Sequence, residues 1–186
     1  MPRFIKLIDE QDIARRVGEL GREIGRHYEG EPLIAVCVLK GAFLFFSDLV
    51  RALPPELDLC LDFVRLASYG DRTHGNEKVE FKKDLETDIE GKHVLVVEDI
   101  VDTGRSMDYF LKVLALRRPK SVRICALIDK SERREVELTV DFVGFALDKG
   151  FVVGYGLDYA EKYRGLPSVY DLILDAQSPD DQSPEK

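Results

Sequence analysis

The sequence has few cysteines, few histidines and no long apolar segment, and each shortage excludes a class of protein. Three cysteines, each inside an apolar segment and none in a CxxC pair, predict buried, reduced thiols rather than disulfides or a metal site. Three scattered histidines without ligand spacing argue against a zinc site. No apolar run approaches the ~20 residues that cross a bilayer, and the first residues lack a secretory signal, so we expect a cytoplasmic protein without membrane contacts. The cysteines are Cys37, Cys60 and Cys125.

Charge and size narrow the possible classes of protein further. Lys and Arg number 27 against 35 Asp and Glu, a formal net charge of −8, which argues against broad contact with a nucleic-acid backbone. A phosphorylated small molecule remains compatible, because its site needs only a few aimed donors. With 186 residues, 45% of them hydrophobic, the chain fits one globular domain with a substantial core.

Strand and helix patterns alternate through the middle of the chain. Continuous apolar runs suit strands covered on both faces, and the apolar spacing between them suits amphipathic helices. This alternation predicts an α/β domain with a mainly parallel twisted sheet flanked by helices, whose ligands bind beyond the carboxyl ends of the strands. The predicted strands cover residues 33–39, 57–66, 93–97, 122–128, 142–147 and 151–155, and the predicted helices lie between Asp9 and Gly30, at 42–53 and at 106–116.

Two segments lack this pattern. Residues 67–80 are polar, glycine-bearing and short of core residues, which favours a mobile active-site segment, with a solvated hairpin as the alternative. The tail at 177–186 is rich in Ser, Pro and Asp, which predicts disorder. The folded domain should therefore span residues 1–176.

The most informative segment is VVEDIVDTGRSM at residues 96–107. Gly104 allows a tight turn, and the helix that starts after it offers free N–H groups and a positive dipole end to a phosphate. Thr103 and Ser106 add hydroxyl donors. The segment is neither a GxxxxGK loop nor a GxGxxG fingerprint, so nucleoside triphosphates and dinucleotides are poorly supported.

Three carboxylates accompany this predicted phosphate site. Glu98 and Asp99 follow the apolar strand directly, and Asp102 comes three residues later. Carboxylates suit the hydroxyls of a ribose, a magnesium ion, or a sugar ring that becomes positive during bond cleavage. The structural alternative is a solvated acidic turn in which Asp102 caps the helix.

Residues 96–107 closely resemble the phosphoribosyl diphosphate signature of type I phosphoribosyltransferases, and the Glu-Asp variant resembles the hypoxanthine/guanine branch. The resemblance implies the fold of that family, with a small hood from the N- and C-terminal segments. It also implies that Asp102 is the catalytic residue near purine N7, either as the general base or as the group that holds the N7 proton. The residues implied to hold the ribose and its 5-phosphate are Glu98, Asp99, Asp102, Thr103, Gly104, Arg105 and Ser106.

Other positions match the same family. Lys40 and Gly41 resemble its diphosphate-binding loop, in which the peptide before the lysine is often cis; on their own they suit an ordinary turn. Arg164 would reach the same diphosphate. Ser68 and Tyr69 match the Ser-Tyr of the family's catalytic lid, here within residues 67–80.

The C-terminal part of the chain resembles the family's purine site. Lys130 would donate to the 6-oxo group and so select oxopurines over adenine, although alone it suits a surface lysine. Phe151 would stack on the purine, the Val152 backbone would pair with its edge, and Asp158 would help to hold magnesium with Glu98 and Asp99. Residues 146–150 depart from the family pattern, which puts the turn before the stacking residue in doubt.

The resemblance therefore implies a Mg²⁺-dependent enzyme that joins hypoxanthine or guanine to phosphoribosyl diphosphate, forming IMP or GMP and diphosphate. It also implies a homodimer or homotetramer. A xanthine or pyrimidine transferase of the same fold is the nearest alternative. A non-catalytic sensor of phosphoribosyl diphosphate is another, but the chain shows neither a basic surface nor an added DNA-binding segment.

Overall fold

The structure, a computed structural model, describes residues 2–69, 78–148 and 150–174. Within them the predicted alternation of strands and helices is confirmed. The elements in chain order are β1 (Arg3–Ile8), α1 (Glu10–His27), β2 (Leu33–Leu39), α2 (Phe43–Ala52), β3 (Leu59–Tyr69), β4 (Lys78–Lys83), β5 (His93–Val101), α3 (Arg105–Ala115), β6 (Ser121–Asp129), a 3-10 turn (Ser131–Arg133), β7 (Phe142–Ala146), β8 (Val152–Val153) and β9 (Val169–Ile173).

The main sheet has six strands in the order β4-β3-β2-β5-β6-β7. All neighbouring pairs are parallel except β3 with the edge strand β4. The chain moves from β2 outward to β3 and later returns to the other side of β2 as β5. The strand order therefore reverses between β2 and β5, where open α/β sheets bind ligands.

Helices cover both faces of this sheet. Alternate residues of each strand point to opposite faces, so β2 sends Cys37 to the side of α1 and α2, and Val36 to the side of α3. Helix α1 begins as predicted, because Asp9 accepts a hydrogen bond from the Gln11 backbone N–H at 3.0 Å. Its predicted apolar stripe is fully buried and consists of Ile13, Val17, Leu20 and Ile24.

A second, antiparallel sheet in the order β1-β9-β8 joins the two ends of the described chain and forms the predicted hood. The turn after β8 packs against the main sheet's ligand edge. Tyr155 in this turn has a φ of 49° and donates its hydroxyl to Asp48 Oδ2 of α2 at 2.7 Å. This bond fixes the hood to the helix that follows β2.

Three predictions on local structure need correction. Strand β5 extends to Val101, so Glu98 and Asp99 lie inside the strand rather than beyond it. Of the predicted strand at 151–155 only Val152 and Val153 form a strand, and it pairs in the hood instead of the main sheet. Cys60 is exposed, because the face of β3 on which it lies is buried only from Asp62 onward.

The predicted lid and tail fall largely outside the described residues. Ser68 and Tyr69 end β3, which pairs antiparallel with β4, while residues 70–77 and the tail from 175 are not described. In the described part of the chain, no helix combines the length and apolarity that a bilayer crossing requires.

Candidate active site

The carboxyl ends of three adjacent strands bring the predicted site residues to one edge of the sheet. Lys40 and Gly41 follow β2, Asp102 follows β5, and Lys130 follows β6. The peptide between Leu39 and Lys40 is cis, as the family resemblance predicts. A Cβ on Gly41 would lie 1.6 Å from Asp99 Oδ2, so the loop after β2 touches the carboxylates of β5.

A small cavity of about 150 Å³ lies at the N-terminus of α3. Gly104 precedes the helix with a φ of 82°, a conformation that glycine adopts without strain. Its lining includes the hydroxyl residues Thr103 and Ser106, and it lies at the positive end of the α3 dipole, so it can take a phosphate group. It is lined by Glu98, Ile100, Val101, Asp102, Thr103, Gly104, Ser106 and Met107.

Arg105, predicted to bind the same phosphate, points elsewhere. Its guanidinium forms an ion pair with Glu135 Oε2 at 2.5 Å, and its side chain is half exposed. Only its backbone N–H belongs to the helix start. The structure therefore places Arg105 at the start of α3, but Arg105 does not line this cavity and its charge is paired with Glu135.

A second cavity of about 350 Å³ adjoins the first and shares Ile100 and Asp102 with it. It contains every residue predicted to contact the purine. Its lining combines carboxylates, two cations and an aromatic ring, which suits a flat heterocycle with polar edges. It is lined by Asp99, Ile100, Asp102, Lys130, Arg133, Gly150, Phe151, Val152, Leu157 and Asp158.

Lys130 is not the surface lysine that its sequence position alone suits. Its side chain is 3% exposed, and Nζ donates to the Gly150 carbonyl at 2.7 Å. Burial lowers the pKa of Lys130, against the opposing charge of Asp102. Gly150 has a φ of 97°, so the turn that departs from the family pattern still supplies a partner for the lysine.

Phe151 is half exposed, an unusual position for a large apolar ring. Its backbone is held by the hood, since its N–H donates to Asp171 and its carbonyl accepts from Leu172. The ring meets Tyr159 edge-on, with centroids 5.5 Å apart. The ring is exposed and lines the second cavity, as stacking on a base requires.

Glu98 and Asp99 are half-buried neighbours, and their two negative charges repel each other. Burial, then the Asp99 carboxylate, raises the pKa of Glu98 well above its usual value. Burial also raises the pKa of Asp99, against a hydrogen bond with Glu98 and the charge of Arg164. A cation or hydroxyl donors at this position would relieve that repulsion.

These carboxylates fit a magnesium ion that is shared with a substrate. Among residues 2–69, 78–148 and 150–174 no cluster of three or more His, Cys, Asp or Glu side chains could hold a metal ion alone. Magnesium in sites for phosphorylated substrates is bound by one or two carboxylates, substrate oxygens and water, which matches this donor set. Asp158, the third predicted ligand, pairs instead with Arg164 at 2.8 Å.

Asp102 joins the two cavities. Its Oδ1 lies 3.2 Å from Arg133 Nε, in a geometry that makes an ion pair but no hydrogen bond. Its backbone carbonyl accepts from Arg134 Nε at 3.2 Å. The Asp102 backbone is thus held by Arg134, and its carboxylate is paired by charge with Arg133 without a hydrogen bond to Oδ1.

The predicted diphosphate residues meet at the end of the hood turn. Arg164 Nη1 donates to the Gly156 carbonyl at 2.8 Å, and a Cβ on Gly156 would lie 2.0 Å from the Gly41 carbonyl. Arg164 Nε is buried without a hydrogen-bond partner. Lys40 Nζ and Arg164 Nη2 both contact one carboxylate oxygen of Glu161, at 2.9 and 3.4 Å.

Three contributors to this site were missed in the sequence. Arg134 is mostly buried, pairs with Asp129 and packs its Cδ where a Cβ on Gly104 would lie. Arg133 faces Asp102, and Glu161 links the two diphosphate cations. Two signals were present in the sequence: adjacent arginines shortly after Lys130, and an acid three residues before Arg164.

A mainly parallel sheet with two adjoining cavities beside its switch point has the architecture expected of a type I phosphoribosyltransferase. The family model described as "Phosphoribosyl transferase domain" matches residues 6–160. The chain is 45% identical over 172 residues to hypoxanthine phosphoribosyltransferase of Salmonella typhimurium, covering 90% of this chain and 94% of that protein. It is 46% identical over 165 residues to hypoxanthine-guanine phosphoribosyltransferase of Aquifex aeolicus, covering 88% and 92%.

Solved structures agree. A hypoxanthine-guanine phosphoribosyltransferase from Bacillus anthracis superposes with a TM-score of 0.85 and 39% identity, over 93% of this chain and all of that one. The chain therefore belongs to the hypoxanthine-guanine phosphoribosyltransferase family. The family resemblance and fold class predicted from the sequence are confirmed.

Proposed function

We propose that this protein transfers ribose 5-phosphate from phosphoribosyl diphosphate to hypoxanthine or guanine, giving IMP or GMP and diphosphate. The observation that supports this most is the shared wall of the two cavities. A nucleotide laid across them places its 5-phosphate at Thr103–Ser106 and its base beside Phe151, with the connecting sugar at Asp102. The named functions of the similar proteins agree with this choice of substrates.

Lys130 supports the preference for a 6-oxopurine. Its buried ammonium donates to the Gly150 carbonyl, and because Lys130 also lines the cavity it would donate to the 6-oxo group of a base bound there. The 6-amino group of adenine would present donors to this donor and leave it unpaired. Phe151 holds the ring plane without distinguishing the bases.

Asp102 serves as the general base of the proposed reaction. The bond between C1 and the diphosphate oxygen breaks ahead of attack, and diphosphate leaves with the electron pair. The sugar, oxocarbenium-like, is attacked by purine N9 from the opposite face, which inverts C1. Asp102 accepts the proton from N7, while Glu98 and Asp99 hold the ribose hydroxyls and stabilise the developing positive charge.

Magnesium belongs to this proposal as a shared ion. When bound, it supplies positive charge to the leaving diphosphate and to the ribose hydroxyls. Glu98 and Asp99 would hold it on the protein side. Asp158 would join them only if its ion pair with Arg164 opened.

We also propose that the protein acts in the cytoplasm as a homo-oligomer. Its cysteines are free thiols, two of them buried, as suits a reducing compartment. Phe43 of α2 and Leu61 and Phe63 of β3 are large apolar side chains left 37–42% exposed close to Phe46. Such a patch marks an interface. Light scattering measures the assembly, and a monomer at micromolar concentration would contradict it.

The decisive experiment mixes purified protein, magnesium and phosphoribosyl diphosphate with one free base at a time and follows nucleotide formation by ultraviolet absorbance. We expect turnover with hypoxanthine and guanine and none with adenine or orotate. Omitting magnesium with a chelator present should abolish the reaction. Preferred turnover of xanthine or a pyrimidine would support the alternative transferases, and binding of phosphoribosyl diphosphate without turnover would support a sensor.

A matched pair of variants tests the reason for that preference. Lys130→Met removes the buried donor and should lower kcat/KM for hypoxanthine roughly 10- to 100-fold, the effect of a hydrogen bond to a charged group. Lys120→Met removes an exposed lysine paired with Glu31 and should leave kcat/KM for hypoxanthine unchanged. Equal effects of the two substitutions would show that Lys130 does not recognise the base.

A further inference from the structure

The inference concerns Glu161 and rests on the proposed function. Its oxygen Oε2 lies 2.9 Å from Lys40 Nζ and 3.4 Å from Arg164 Nη2. Those two cations come from segments more than 120 positions apart, yet a single carboxylate oxygen contacts both. A phosphate oxygen of the diphosphate would have to make the same two contacts.

The backbone around Glu161 holds it in this place. Glu161 and the preceding Ala160 have φ values of 63° and 50°, a left-handed conformation that residues other than glycine adopt rarely. The Glu161 N–H donates to Asp158 Oδ2 at 2.8 Å, which fixes the turn. A residue other than glycine keeps such a backbone conformation where the surrounding structure holds it in place.

The contact of Glu161 with Lys40 and Arg164 is electrostatic and open to solvent. The Glu161 side chain is 64% exposed and that of Lys40 46%, so water and a competing anion can reach both. Arg164 makes its other contact in this turn through Nη1, which donates to the Gly156 carbonyl at 2.8 Å.

We propose that Glu161 occupies the diphosphate subsite in the empty enzyme as an internal anion, which the incoming diphosphate displaces. It therefore weakens the binding of phosphoribosyl diphosphate and of the product diphosphate. The carboxylate shields the two cations from each other before substrate arrives, and it repels diphosphate after the reaction, which speeds product release.

If Glu161 instead helps the substrate to bind, the change in diphosphate affinity on its removal has the opposite sign. If Glu161 orients Lys40 for the substrate, its removal must weaken diphosphate binding. If it competes with the substrate, its removal must strengthen binding. One exposed ion pair corresponds to a factor of about 1.5–5 in affinity, and this sets the size of the expected change.

The test measures the dissociation constant of inorganic diphosphate by calorimetry, with magnesium, for the parent protein, Glu161→Gln and Glu90→Gln. Glu90 pairs with Arg118 at 2.9 Å, away from the site, and its substitution makes the same change in net charge. We expect diphosphate to bind Glu161→Gln about 1.5- to 5-fold more tightly, with stronger product inhibition by diphosphate. Glu90→Gln should match the parent.

Unchanged or weaker binding to Glu161→Gln would overturn the inference, as would an equal gain in Glu90→Gln. The proposed function fails separately: in that case the parent protein itself neither binds phosphoribosyl diphosphate nor forms nucleotide. Thermal unfolding of the variants shows whether each is folded. Glu161→Asp, which keeps the charge but shortens the reach, gives a second reading of the same competition and should bind diphosphate between parent and Gln.

Discussion

Replacing Asp102 with asparagine is expected to lower kcat for nucleotide formation by a factor of about 10²–10⁴, the usual contribution of a well-placed general base. Asparagine keeps the shape of the side chain but cannot accept the proton from purine N7. Binding of phosphoribosyl diphosphate should stay nearly unchanged, because the cradle at Thr103–Ser106 remains intact. Single-turnover kinetics and direct binding of the sugar diphosphate measure the two quantities.

Asp108→Asn is the matched control for this experiment. Asp108 lies on the same helix start but accepts an exposed hydrogen bond from Lys112. The Asp108→Asn variant should therefore form nucleotide with the same kcat as the parent. Undiminished turnover in Asp102→Asn would reject the assignment, and a parallel loss of sugar diphosphate binding would show that Asp102 holds the substrate instead.

The substitution Gly156→Ala is expected to damage both stability and substrate binding. Gly156 has a φ of 101°, and a Cβ there would lie 2.0 Å from the Gly41 carbonyl oxygen. Backbone strain of about 1–3 kcal/mol adds to an overpacking cost of similar size, so the unfolding free energy should fall by roughly 2–6 kcal/mol. Because the methyl group pushes on the loop that carries Lys40, the KM for phosphoribosyl diphosphate should also rise.

Gly30→Ala separates the two contributions. Gly30 also has a positive φ, 74°, but a Cβ there would meet nothing within 4 Å. Its substitution therefore introduces backbone strain without a clash, and substrate binding should not change. Urea denaturation gives the unfolding free energies of both variants. If both lose the same amount of unfolding free energy, the close approach of Gly156 to Gly41 does not contribute to the loss in Gly156→Ala.

The centre of the fold could be predicted because its signals are local. Strands such as β2 are buried on both faces and appear as continuous apolar runs, and α1 has both a cap and an apolar stripe. The edge strand β4, KVEFKK, is charged and one-sided, so only its pairing with β3 reveals it. The hood strands β1 and β9 pair across almost the whole chain, and only the family resemblance predicted the hood.

The same distinction applies to the site. The segment from Glu98 to Ser106 is contiguous, so one stretch of sequence was enough to identify the residues that line the cavity proposed for the phosphate. Arg134 and Glu161 act on residues 32 and 121 positions away, and nothing in their own neighbourhood specifies those partners. The direction of the Arg105 side chain was likewise set by a distant acid, Glu135.

The hydrogen bond from Tyr155 to Asp48 limits how freely helix α2 can be redesigned. Tyr155 is 8% exposed, so a change at Asp48 made to alter the outer surface would leave the hydroxyl of a buried tyrosine without its hydrogen-bond partner. The turn that bears Gly156 would then lose its anchor. Any engineering of how copies of this chain meet must treat that aspartate as part of the catalytic architecture.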